Sequence, residues 1–117
     1  MPMIVLTQPI PPEKYTSWRQ AVLEMSGSRR AEFDAARRRQ GVTRQGVWVV
    51  QEADGPREVL VMETDDPGRT FELMATSQEP FDVWMRGVLM DTFKLDLTQP
   101  PAGPMPEQIL DWSASGG

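Results

Sequence analysis

The chain of 117 residues contains neither cysteine nor histidine. Without cysteine there is no disulfide framework, no thiolate nucleophile and no zinc–sulfur site. Without histidine, the commonest metal ligand and the commonest general base near neutral pH are both missing. Haem held by a proximal histidine, zinc hydrolysis and Ser–His–Asp chemistry are thereby excluded. Any catalysis has to come from carboxylates, arginines, Lys14, Lys94, Tyr15, or a substrate that supplies its own reactivity. Long apolar runs are lacking too: none approaches the roughly 18 residues of a membrane span. The N-terminal MPMIVLTQPIPP has no basic segment ahead of its short apolar run, so a cytoplasmic protein without a secretory leader is expected.

What is present fits a single globular domain over 1–117. A hydrophobic fraction of 39% with 25% charge is too apolar for a disordered chain. The net charge of −5 is unevenly spread: residues 26–44 carry +4, from six arginines against Glu32 and Asp34, whereas residues 45–117 carry −9. An arginine-rich segment raises the question of nucleic acid. The overall acidity and the absence of a recognition motif argue instead for a solvated helix face formed by Arg29, Arg30, Arg37, Arg38 and Arg39, so no nucleic-acid partner is expected.

MIVL (Met3 to Leu6) reads as a first strand, closed by Pro9, Pro11 and Pro12. Tyr15, Trp18, Val22 and Met25 then form one stripe of a helix. Ser26-Gly27-Ser28 interrupts it, with Ser28 able to cap a continuation in which Phe33 and Ala36 face inward. Gly41 stands where a C-terminal cap glycine belongs. GVWVVQE and REVLVMET are strands by their β-branched content, joined by ADGPR. Because Pro56 has no N–H to close a tight Asp54-Gly55 turn, a longer loop is expected there.

METDDPGRTFELM places Glu63, Asp65 and Asp66 within four residues. Asp66 before Pro67 is a helix N-cap followed by proline at the first position, and Asp65 adds charge at the same end. The helix then buries Phe71, Met74 and Ala75. Phe81, Trp84, Met85, Val88 and Leu89 give a complete helical stripe after Pro80. Residues 98–107 are a proline-rich connector, QILDWS (Gln108 to Ser113) is a last short strand, and 114–117 form a frayed tail.

This order is βαββαβ, a ferredoxin-like α+β fold with helices on one face of a four-stranded antiparallel sheet. Yet MIVL, VWVV and VLVM are apolar at consecutive positions, where strands with one wet face alternate. Both faces are therefore covered, and the helices suffice for one. A second copy of the chain is the simplest remaining cover, which makes a homodimer through the sheet face the expected partner state.

The element order resembles the dimeric α/β barrel superfamily, which includes antibiotic-biosynthesis monooxygenase-like and stress-responsive barrel proteins. More narrowly, GVTRQGVWVVQ, DDPGRTFELMATSQEPFDVWMRGV and QPPAGPMPE resemble a bacterial family within it that has no assigned activity. The resemblance implies a small-molecule pocket between sheet and helices and does not require a cofactor. It implies no residue role by alignment, and the chain has no histidine to match the haem-binding members. Trp48, Arg44 and Trp84 are the candidate ligand-binding residues, the first as a cavity wall and the second at its rim. If the protein is instead a cofactor-independent enzyme of the monooxygenase or isomerase kind, Glu63 or Tyr15 would move the proton. No metal site is expected. A third reading, docking of an acidic partner on the arginine helix, follows from the charge asymmetry alone.

Overall fold

The computed structural model describes residues 2–100 and 105–114. Three strands, β1 (Met3–Pro9), β2 (Val42–Glu52) and β3 (Gly55–Thr64), form an antiparallel sheet in the order β1-β3-β2. Four helices accompany it: α1 (Tyr15–Met25, after a 3-10 turn at Pro12–Lys14), α2 (Arg30–Arg39), α3 (Pro67–Thr76) and α4 (Pro80–Phe93). The chain is thus a mixed α+β fold. The fourth strand expected at Gln108–Ser113 does not form: these residues have no regular structure and are exposed. Their composition favours a strand, but a strand also needs a partner, and in this copy they pair with neither edge of the sheet. Ala114 is an exposed turn residue, and the rest of the expected frayed tail, with Gly116 and Gly117, lies outside the described residues.

The β2–β3 connection is tighter than expected. Glu52 pairs with Gly55 and Gln51 with Pro56, which leaves Ala53-Asp54 as a two-residue loop. The turn sits one residue earlier than Asp54-Gly55, so Gly55, at φ +126°, closes it and Pro56 is not needed as a donor. The Pro56 carbonyl is still used: the Ile10 N–H donates to it at 2.9 Å.

The register separates the two faces of the sheet. On β3, Glu58, Leu60, Met62 and Thr64 face the helices, beside Ile4, Leu6 and Gln8 of β1 and Gln45 and Val47 of β2. Arg57, Val59, Val61 and Glu63 face away, with Met3 and Val5 on one side and Arg44, Gly46, Trp48 and Val50 on the other.

The stripes of α1, α2 and α4 meet as their periodicity demands. Met25, Ala36 and Phe81 are buried at the centre, with Val22, Phe33, Trp84 and Met85 packed around them. The Phe81 ring lies 5.5 Å from Trp84 and 6.0 Å from Phe33. The α1 helix stops where Ser26 to Arg29 form turns. Arg29, not Ser28, occupies the cap position of α2 and makes no side-chain cap bond. Gly41 adopts φ +77° after α2, and its N–H donates to Arg38 O; a Cβ there would stand 2.5 Å from Asp65 Oδ1. On α3, Asp66 Oδ1 accepts from the Arg69 N–H at 3.1 Å with Pro67 at the first position, the expected cap. Phe71, Met74 and Ala75 are only half-buried, and the fully buried residue of this helix is Thr70.

Candidate functional site

A cavity of about 90 Å³ lies between the helix-facing side of the sheet and the helices. Its walls are mostly apolar, with Leu6, Leu60 and Met62 from the sheet and Met25, Phe71 and Met85 from the helices. It has room for a few heavy atoms, well below the 300–1,000 Å³ or so of a drug-sized site.

One carboxylate reaches this wall from the sheet. Glu58 is 6% exposed, and its Oε2 accepts from Trp18 Nε1 at 2.9 Å while Oε1 accepts from Gln8 Nε2 at 3.1 Å. Both donors are neutral. Among the described residues no cation lies within ion-pair reach of Glu58. A buried carboxylate normally requires a partner of opposite charge, because neutral donors replace only part of its lost hydration.

The second polar end of the cavity is compensated. Arg37 is buried on α2 and donates from Nε to Gln45 Oε1 at 2.7 Å and from Nη1 to Gln40 Oε1 at 2.8 Å. Gln40 in turn donates to the buried Asp82 at 2.9 Å, and Arg39 pairs with the same carboxylate at 3.1 Å. Burial pushes the Arg37 guanidinium down to about 10, and the charge of Asp82 opposes that shift. Arg37 therefore does not belong to the solvated arginine face expected from its neighbours. It starts a polar seam that continues from the Gln40 carbonyl through the Thr70 and Thr64 hydroxyls, at 2.6 Å each, to the Asp66 N–H at 3.2 Å. This seam ties α2, β3 and α3 together.

The candidates expected from the sequence lie elsewhere. Trp48 is 56% exposed on the face turned away from the helices and does not wall the cavity. Its ring folds back over Gly46, where a Cβ would come within 2.5 Å of it. Arg44 shares that face and borders an open surface groove with Arg38, Thr43 and Asp65, not the cavity rim. Trp84 sits in the helix cluster, with the Arg29 guanidinium 4.1 Å above its ring. Glu63 accepts from Thr43 Oγ1 at 2.8 Å on the same outer face. Tyr15 stacks on Trp18 with ring centroids 6.0 Å apart, and its hydroxyl accepts from Arg19 and Gln51. Glu63 and Tyr15 are not brought together. Lys14 pairs with Asp91 at 2.9 Å, and Lys94 is the left-handed cap of α4.

Sequence reasoning passed over Glu58, although a signal existed. Glu58 and Glu63 are five residues apart on one strand, hence on opposite faces. Once Leu60 and Met62 are assigned to the core, Glu58 is the acid in phase with them. Among the described residues no three metal-ligating side chains cluster, and no helix is long and apolar enough to cross a membrane. Comparisons with protein-family models, curated proteins and solved structures found no match.

Proposed function

We propose that the protein binds a small lipophilic amine in the cavity between sheet and helices, with Glu58 as the anchor. The observation that carries this reading is a buried carboxylate with two neutral donors and, among the described residues, no counter-charge in ion-pair reach, in the wall of a mostly apolar cavity. An ammonium group would supply the missing charge and a short, charge-assisted hydrogen bond, while its alkyl part fills the space beside Leu60 and Met62. The two Glu58 donors fix the carboxylate before the ligand arrives, so little ordering is left to be done on binding. The packing of the helices against one face of the three-stranded sheet supports a cavity in this position.

The test is calorimetric titration with isobutylamine, isobutanol and isobutyrate. Binding of a five-heavy-atom probe is bounded at about −7.5 kcal/mol, which is micromolar. The amine is expected to bind, the neutral and anionic analogues at least tenfold more weakly. Glu58→Gln keeps the shape and can still accept from Trp18, while its amide NH2 donates to Gln8 once the Gln8 amide turns over, and it is expected to abolish the preference. Equal binding of the three probes, or an amine preference that survives Glu58→Gln, overturns the reading.

A further inference from the structure

The arginines of residues 26–44 do not share one fate. Arg29 pairs with Glu24 at 3.4 Å and Glu32 at 3.6 Å, Arg30 with Asp34 at 3.3 Å, and Arg39 with Asp82 at 3.1 Å. The side chains of Arg38 and Arg44 have neither an ion-pair nor a hydrogen-bond partner among the described residues. In a chain of 17 acidic against 12 basic residues, acids are not in short supply.

Both unpaired arginines border one groove of about 530 Å³, a volume within the range of small-molecule sites. It lies where the last turn of α2 passes into β2. The chain turns there at Gly41, φ +77°, and a bulge shifts the β2 register between Val42 and Arg44. A bulge of this kind re-aims the side chains beside it, and Arg44 stands over the same groove as Arg37 and Arg38 of α2. Arg37 is the fixed member. Gln45 holds its Nε and Gln40 its Nη1, while Nη2 makes no hydrogen bond among the described residues.

Three guanidinium groups around one groove suit a phosphoryl group. It offers three terminal oxygens and a charge of about −1.5 to −2, each oxygen accepting charge-assisted hydrogen bonds from the planar forks of arginine. A carboxylate, with two oxygens and a single charge, would satisfy only one fork. The acids of the groove shape the remainder of the ligand. Asp34 is taken by Arg30, whereas the Asp65 carboxylate lies against Gly41 without an ion-pair partner. Asp65 therefore repels a second phosphate and accepts hydroxyl groups. An extended polyanion would also meet the −9 carried by residues 45–117.

We propose that this groove binds a phosphorylated sugar or polyol, its phosphoryl group on Arg37, Arg38 and Arg44 and a hydroxyl on Asp65. Glu58 takes no part, so this site stands or falls separately from the amine reading of the cavity.

The test is calorimetric titration at fixed ionic strength with glucose 6-phosphate, inorganic phosphate, glucose and a thymidine oligonucleotide. The sugar phosphate is expected to bind, with inorganic phosphate at least tenfold weaker and glucose not bound. Arg38→Gln and Arg44→Gln, both at exposed positions, should each weaken the sugar phosphate at least fivefold with an unchanged circular dichroism spectrum. Arg57→Gln removes one positive charge from the outer sheet face and should leave binding unchanged. Asp65→Ala should weaken the sugar phosphate but not inorganic phosphate. Absence of binding, inorganic phosphate bound as tightly as the ester, tighter binding of the oligonucleotide, or an equal loss in Arg57→Gln overturns the proposal.

Discussion

Glu58 shows how one side chain can depend on two neighbours for its place in the interior. Trp18 and Gln8 come from α1 and β1, so a single carboxylate joins a helix and two strands. Replacing the indole by a ring without N–H leaves Oε2 with an unmet acceptor in a dry setting. Trp18→Phe is therefore expected to destabilise the fold by about 1–3 kcal/mol. Urea unfolding should show a lower midpoint with an unchanged slope, since the surface exposed on unfolding is the same. Glu58→Gln, which retains hydrogen-bonding capacity at that position, should lose much less. Arg37 presents the opposite case. Its charge is held among amide groups and faced by Asp82, so it contributes to joining α2 and α4 and leaves nothing over for a ligand in the cavity.

At the scale of elements, the ends of helices decide more than their middles. Asp66 caps α3 and also stands at the end of the polar seam from Gln40, so the turn between β3 and α3 is fixed from both sides. Asp66→Ala is expected to cost about 1 kcal/mol, seen as a lower thermal midpoint, with Pro67 still holding the first turn open to the helix. This junction was legible from the residues alone because capping is local: Asp-Pro carries its own geometry. The α4 stripe was legible for the same reason. The strands were legible as strands but not in their facing. MIVL, VWVV and VLVM carry apolar side chains on both faces, so the alternation that normally reveals the inward side is absent. Trp48 was consequently assigned to the cavity, and Glu58 was overlooked in favour of Glu63. The β2–β3 loop is shorter than the proline behind Asp54-Gly55 implies, because a turn at Ala53-Asp54 needs no donor from Pro56. Gln108–Ser113 has a strand's composition, but pairing is a tertiary event that composition does not encode.

The molecule as a whole is less closed than its length suggests. Its radius of gyration is 14.7 Å, against about 13 Å for a compact domain of this size. Two long edges and one oily sheet face remain open, and open edges invite uncontrolled pairing unless something covers them. A two-fold arrangement closes on itself, whereas a head-to-tail one would continue indefinitely. The acidic balance of the second half of the chain adds a mild repulsion that disfavours such growth.

The position of Trp48 has an optical consequence. Its indole reaches over Gly46 and is more than half exposed, and Trp112 is also bare, while Trp18 is sealed inside. Emission from the first two would be red-shifted in an isolated copy and move to shorter wavelength once they are covered. A simple dilution series read in a fluorimeter should therefore shift colour across the association midpoint, with no label added. A Trp48→Phe chain should lose the part of that shift that Trp48 contributes, and a spectrum that stays fixed from nanomolar to millimolar would mean that these indoles are never shielded.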